Sequence, residues 1–106
     1  MRELAAEDKV ALIDLERMST VFYEALGPTK SPLAFSVGGK DITHHNNPGA
    51  YELARCVVQS IRAMDLPLAQ SIAVDFAGFD PTRPDAPEKF ALPASPMRSE
   101  VAPRGN

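Results

Sequence analysis

Two adjacent histidines, His44 and His45, follow Asp41 at a spacing that could serve metal binding or acid–base chemistry. Imidazole nitrogens bind zinc, and histidine exchanges protons readily near neutral pH. However, neighbouring side chains of an extended segment point in opposite directions, so the two rings seldom bind one ion. A zinc site needs three or four ligands, and only Asp41 and the distant Cys56 remain. We therefore interpret the pair as a polar lead-in to a helix and expect no metal and no cofactor.

The other candidate catalytic residues are equally isolated. Cys56, a histidine and Asp41 would form a set of nucleophile, base and acid. The cysteine, however, lies inside a predicted helix, away from the helix N-terminus that would lower its pKa. Asp75 and Asp80 would form a pair of carboxylates, but Asp80 precedes Pro81 as in a turn. We therefore predict that the chain is not an enzyme.

Composition and charge limit the possible partners. The chain has 106 residues, of which 44% are apolar and 24% charged, and its net charge is −3. Residues 1–26 hold six acidic and three basic side chains, whereas the remainder holds eight of each. This acidic segment disfavours direct contact with nucleic acid or an anionic membrane. A single cysteine, no signal-peptide pattern and no long apolar run predict a soluble protein in the cytoplasm.

A long helix is the first element that would position these residues. It is predicted over Glu3–Leu26, a stretch without proline or glycine that ends at Gly27-Pro28. Its apolar side chains cover roughly 200° of the circumference, against about 100° on a typical surface helix. Four side chains lie at the margins of the main apolar stripe or outside it: Leu12, Ile13, Val21 and Tyr23. This surplus predicts that a second protein surface covers the helix.

A β-hairpin is predicted near residues 33–43. Residues 33–37 alternate in hydropathy, and Gly38-Gly39 supplies the positive φ angles of a two-residue turn. With this turn, Phe35 faces Ile42 across the two strands as an apolar pair. Because a lone hairpin is marginally stable in water, we expect it to pack on the helices.

A second helix is predicted from Pro48 to Asp65, with Asn47 as its N-cap. Its apolar side chains share one face. Its polar side chains occupy the opposite, solvent-facing side: Glu52, Arg55, Gln59 and Arg62. Residues 67–79 fit either a helix or a strand, and Pro67 and Gly78 favour the helix.

Residues 80–106 form a proline-rich tail that holds six of the ten prolines. Such a density of proline excludes long regular elements. Phe90 and Leu92 are among the apolar side chains able to anchor the tail. The predicted organisation is therefore a mainly α-helical domain over residues 1–79, with two or three amphipathic helices and the hairpin, followed by this extended tail.

The surplus helical surface decides the functional prediction, because no catalytic constellation is found. We predict a protein-binding regulator that forms a homodimer, since a two-fold contact lets one apolar patch serve both subunits. The predicted partner-binding residues lie on the first helix and in the tail: Leu12, Ile13, Val21, Tyr23, Phe90 and Leu92.

The stretch Asp8–Leu26 and the helix Pro48–Asp65 resemble the small bacterial antiactivators of quorum sensing. The shared features are the chain's size, its acidic and apolar-rich first helix, and the lack of catalytic residues. The resemblance implies binding to the ligand-binding domain of a LuxR-type transcription regulator. Such binding would disrupt the regulator's dimer and thereby its DNA binding.

Two other functions stay open. One is a small enzyme or ligand-binding domain whose site lies between subunits and uses Asp41, His44 and His45. The other is a structural subunit of a larger assembly. Metal analysis and a ligand-induced melting shift separate the enzyme from the regulator, whereas stoichiometry in native extracts identifies the structural subunit.

Overall fold

The computed structural model describes residues 1–91 and is mainly α-helical, which confirms that part of the predicted fold class. Its α-helices are α1 (Arg2–Glu7), α2 (Leu15–Lys30), α3 (Ser36–Gly39) and α4 (Asn47–Ala63). Short 3-10 helices span Ser31–Ala34, Pro67–Ser71 and Pro87–Lys89. Within residues 1–91, every helix is too short or too polar to cross a membrane.

The predicted first helix is interrupted. Helix α1 ends at Glu7, and Lys9 takes a left-handed φ of 54°. Helix α2 begins at Leu15, because the Asp14 carboxylate accepts the backbone N–H of Arg17 at 3.2 Å and caps it. The prediction of one helix over residues 3–26 is therefore wrong. Two of its predicted contact residues, Leu12 and Ile13, lie in the non-helical connection.

The end of α2 leads into a loop instead of the predicted hairpin. Val37, Gly38 and Gly39 all have positive φ, so the chain coils through α3 where a two-residue turn was expected. One antiparallel bridge joins Phe35 to His45, ten residues further on, and not to Ile42. No strand forms within the described residues. The cause is local, since the Asp41 carboxylate accepts hydrogen bonds from the backbone N–H groups of Thr43 and His44, which a strand ladder would otherwise use.

Helix α4 lies close to its predicted bounds, but its N-cap is Asn46, one residue earlier than expected. The Asn46 side chain accepts the backbone N–H of Gly49 at 3.1 Å. Within residues 67–79, only Pro67–Ser71 forms a helical turn, and residues 72–79 are irregular. The predicted helix over residues 67–79 is therefore wrong for most of its length.

On the polar side of α4, Glu52 departs from the pattern that an amphipathic helix predicts. Glu52 is buried, with 4% of its surface exposed. The irregular segment after residue 72 covers this side through three hydrogen-bonded links: Arg55 to the Asp85 carboxylate, Arg62 to the Phe76 carbonyl, and Gln59 to the Phe79 N–H. The polar side chains of α4 thus hydrogen-bond to backbone groups and to a carboxylate of the covering segment, and these bonds hold the segment against the helix.

The core is small and lies between α2, the 3-10 helix Ser31–Ala34 and α4. Its buried apolar side chains come from distant parts of the chain: Phe22, Ala34, Cys56 and Phe79. Gly49 allows the start of α4 to pack closely against Ala34, because a Cβ at position 49 would lie 2.1 Å from the Ala34 carbonyl oxygen. This contact holds the loop of residues 35–46 against the start of α4.

Candidate active site

Asp41 and His44 form a hydrogen-bonded pair at the tip of this loop. The Asp41 Oδ2 atom lies 2.8 Å from His44 Nδ1. The other carboxylate oxygen, Oδ1, accepts the backbone N–H groups of Thr43 at 2.9 Å and His44 at 3.1 Å. On the opposite side, the Ser36 N–H donates to the His44 carbonyl at 2.9 Å. Both the ring and the backbone of His44 are therefore held.

The charge state of Asp41 follows from these bonds. The N–H donors of Thr43 and His44 and the His44 ring lower the pKa of the Asp41 carboxyl to about 2. Asp41 is consequently ionised at neutral pH and accepts a hydrogen bond from the N–H group of His44 Nδ1. In the neutral imidazole, this tautomer leaves Nε2 as the unprotonated, basic nitrogen. The arrangement matches the acid and base of a hydrolytic triad, in which a carboxylate orients the histidine that activates a nucleophile.

The basic edge of His44 is accessible, since 77% of its side chain is exposed. The structure brings no serine or cysteine of residues 1–91 into hydrogen-bond contact with Nε2. The hydroxyl of Ser36, in the same loop, donates to the His45 carbonyl instead. Cys56 is fully buried, and burial raises the pKa of its thiol, so it is no thiolate nucleophile.

His45 does not share this site with His44. Its ring packs against Phe35, and its Nε2 atom hydrogen-bonds the hydroxyl of Tyr23 on α2. The two adjacent histidines thus have separate surroundings, as the alternation of an extended segment predicts. Within residues 1–91, no three or more His, Cys, Asp or Glu side chains are grouped so that they could hold a metal ion.

The predicted partner-binding residues do not form one continuous patch. Leu12 and Val21 line a shallow groove between α2 and α4. Tyr23 lines another, with Phe35 and His45. Ile13 lines a third cleft beside α1, which Leu12 also reaches. Phe90 packs 5.4 Å from the Tyr51 ring, and Leu92 is outside the described residues. Binding through these residues, and the homodimer, stay predictions.

Sequence reasoning underrated the spacing of Asp41 and His44. It weighed the two adjacent histidines as a metal site, for which their opposite directions are unfavourable. The informative signal was an acid three residues before a histidine in a non-helical segment, which allows a carboxylate to reach both the ring and the intervening N–H groups. The link between His45 and Tyr23 has no comparable local signal, because it joins residues 22 positions apart.

The chain is similar in sequence to esterases of Bacillus subtilis (strain 168). It is 39% identical over 74 residues to the protein named "Probable rhamnogalacturonan acetylesterase YesY", covering 68% of this chain and 34% of that protein. It is 37% identical over 79 residues to the rhamnogalacturonan acetylesterase RhgT, covering 64% and 34%. A third relative, the "Uncharacterized esterase YxiM", is 39% identical over 59 residues, covering 56% and 15%. No family model and no solved structure matches the chain.

The matches to YesY and RhgT span positions 41 and 44. A stretch that covers 68% of the chain contains its central third wherever it begins, and both residues lie there. The chain spans about a third of the length of YesY and RhgT.

The names of the relatives contradict the prediction of a quorum-sensing antiactivator and of a chain without enzymatic activity. Regulation of transcription through a LuxR-type partner is likewise unsupported. The matches favour an enzyme, which is part of the alternative that the sequence left open: a small enzyme or ligand-binding domain with a site between subunits around Asp41, His44 and His45. The earlier interpretation failed because it required a complete set of catalytic residues before accepting an enzyme.

Proposed function

We propose that this chain carries the acid–base pair of a carboxylic ester hydrolase, with His44 as the general base and Asp41 as the residue that orients it. The observation that carries the proposal is the 2.8 Å hydrogen bond between His44 Nδ1 and the ionised Asp41 carboxylate. The proposal is also supported by YesY and RhgT, which are named as acetylesterases and whose matched stretches span the positions of this pair.

In the proposed reaction, an attacking hydroxyl group approaches the ester carbonyl carbon and gives its proton to His44 Nε2. Asp41 keeps the imidazole in the required tautomer and stabilises the imidazolium that forms. When the tetrahedral intermediate collapses, the same Nε2 atom returns the proton to the leaving alcohol, and the acyl group stays on the attacking oxygen. A water molecule then gives its proton to Nε2, attacks this acyl group and releases the carboxylic acid, and the proton returns to the protein hydroxyl. Because the Asp41 carboxylate already accepts three hydrogen bonds, it needs no rearrangement during these steps.

We place the attacking hydroxyl on polypeptide that corresponds to the part of RhgT and YesY outside the match. The hydroxyls of Ser19, Ser36 and Ser60 donate to backbone carbonyls or to the Met18 sulfur, and no serine of residues 1–91 bonds His44 Nε2. The names of the relatives indicate the substrate class, acetyl esters on a rhamnogalacturonan polysaccharide. An exposed pair suits a polymer, since a large substrate can reach Nε2 without entering an enclosed cavity.

A chimera tests the proposal. This chain replaces the matching third of RhgT, and the release of acetate from acetylated rhamnogalacturonan is measured. We expect activity that falls about 10³-fold in His44→Ala, which is within the usual contribution of a general base. Lys40→Ala, an exposed change in the same loop, serves as the control and should retain activity. A folded chimera without activity, or one whose activity survives His44→Ala, would contradict the proposal.

A further inference from the structure

Three rings from separate parts of the chain stack behind the loop that holds Asp41 and His44. The Phe35 and His45 rings lie 4.7 Å apart at 30° between their planes. Tyr23, on α2, stacks on Phe35 at 5.4 Å and on His45 at 6.2 Å. Each ring is only half-buried. The cluster is therefore a small stack at the junction of α2 and the loop, and not a part of the closed core.

A hydrogen bond between Tyr23 and His45 fixes the direction of this stack. The Tyr23 hydroxyl meets His45 Nε2. Burial raises the pKa of the Tyr23 phenol, so it keeps its proton and is the donor when the imidazole is neutral. His45 Nε2 is then the acceptor. The bond connects the side chain that follows His44 directly to the rigid body of α2.

The backbone on both sides of His45 is also tied down. The Ser36 hydroxyl donates to the His45 carbonyl at 3.4 Å. The Asn46 amide donates to the carbonyls of Leu33 at 2.7 Å and Phe35 at 3.0 Å. These bonds anchor residues 45 and 46 to residues 33–36, and the bond from the Gly49 N–H to the Asn46 side chain anchors them to α4. Among the hydrogen bonds that the described residues form at this loop, the bond between Tyr23 and His45 alone joins a loop side chain to α2.

We propose that Tyr23 and His45 are positioning residues, which fix the backbone at His44 and so hold its ring against Asp41 with Nε2 facing the reacting ester. The proposal rests on the proposed function for its catalytic consequence. Its structural consequence does not depend on any reaction: when the bond between Tyr23 and His45 is lost, the bond between His44 and Asp41 should become shorter-lived. The two consequences can be measured separately.

The change Tyr23→Phe isolates the hydrogen bond, since it removes one oxygen and leaves the ring to stack on Phe35. Tyr51→Phe is the matched control. Tyr51 lies on α4, is partly exposed and packs against Phe90, away from the loop. His45→Gln supplies a rescue, because a glutamine amide oxygen can accept from Tyr23. His45→Phe keeps the stacking and removes the acceptor.

Nuclear magnetic resonance of the complete chain gives the direct test. Wild-type protein should show a downfield proton on His44 Nδ1 and an Asp41 carboxyl that titrates at about 2. In Tyr23→Phe and His45→Phe, we expect faster exchange of that proton and an Asp41 pKa closer to its ordinary value. Tyr51→Phe should match the wild type, and His45→Gln should recover part of the signal. Circular dichroism checks that each variant is folded.

The chimera with RhgT gives the catalytic test. Misplacement of a catalytic group by about 1 Å can cost as much as 100-fold in rate, so a fall in kcat of at least about tenfold is expected for Tyr23→Phe, with KM unchanged. An unchanged Asp41 pKa and an unchanged His44 proton in both Tyr23→Phe and His45→Phe would overturn the positioning role. The expected resonance changes in a chain whose chimera is inactive would support the positioning role and overturn the proposed function.

Discussion

Asp41 and Glu52 are both carboxylates with a basic side chain three residues later, yet their surroundings push their pKa values in opposite directions. Asp41 lies in a loop, where the N–H groups of Thr43 and His44 and the His44 ring lower its pKa to about 2. Glu52 lies on α4, where burial raises its pKa despite a 2.8 Å bond to Arg55. The surroundings of each carboxylate, and not its spacing from the basic side chain, therefore decide the direction in which its pKa shifts.

The two pairs also differ in how completely they are bonded. Both carboxylate oxygens of Asp41 accept hydrogen bonds, and the His44 side chain is exposed to solvent. Glu52 uses Oε1 for Arg55, while its buried Oε2 has no partner within the described residues. Arg55 in turn binds Asp85 at 2.6 Å and lies over the Phe79 ring. The first pair is the one for which we propose a catalytic role, whereas the second links α4 to the following segment.

The largest effect is expected from Asp41→Asn in the chimera. An asparagine there can offer its N–H group to His44 and favour the wrong tautomer, so that acetate release should fall by up to about 10⁴-fold. The matched control is Asp80→Asn, because Asp80 is another exposed carboxylate, bonded to the N–H and hydroxyl of Thr82, but no histidine accompanies it. Equal losses from the two changes would remove the distinction between a catalytic and a turn-forming aspartate.

Loss of Arg55 should affect stability and not chemistry. Arg55→Ala leaves the Glu52 carboxylate buried without its partner, and breaking a buried ion pair in this way costs about 3 kcal/mol of unfolding free energy. Arg62→Ala is the control, since Arg62 is an exposed arginine on the same helix. Urea denaturation measures both. If the two variants lose equal stability, burial of Glu52 is not what makes Arg55 important.

A smaller loss is expected from Asn46→Ala, which removes the N-cap of α4 and the bonds to the Leu33 and Phe35 carbonyls. Cap removal costs about 1 to 2 kcal/mol of unfolding free energy. Asn47→Ala is the control, because Asn47 is adjacent and exposed and was the cap that the sequence predicted. Thermal denaturation that shows the larger loss for Asn47 would reverse this assignment.

Local signals in the sequence predicted the elements that they control. The Asn-Pro pair and the helical period of α4 placed that helix within two residues of its observed end. The same reasoning missed the break between α1 and α2, because helix propensity is a weak preference that the Asp14 cap and the turn at Lys9 override. The hairpin failed for a related reason, since Asp41 takes the N–H groups of Thr43 and His44.

Contacts between distant residues were beyond prediction from pattern. The helical period assigned Glu52 to solvent, and only the packing of residues 76–90 on α4 reveals that it is buried. For the candidate site, the sequence supplied Asp41 and His44 as possible residues but no reason for them to meet. Their bond depends on the positive φ angles before Lys40 and on the tie of Ser36 to His44, which set the path of the loop.

The smallest and most discriminating effect is the opposite pH dependence of the two carboxylates. The Asp41 pKa is depressed in the folded protein, so its contribution to stability is present above its ordinary value of 3.8 and is lost as the pH falls toward about 2. The Glu52 pKa is raised above 4.5, so its contribution is present below that value and is lost as the pH rises through the folded pKa. Relative to wild type, Asp41→Asn should therefore lose more stability near pH 7 than near pH 3, whereas Glu52→Gln should gain relative stability as the pH rises. Urea midpoints across this range measure both trends, and a shared sign would show that burial does not control Glu52.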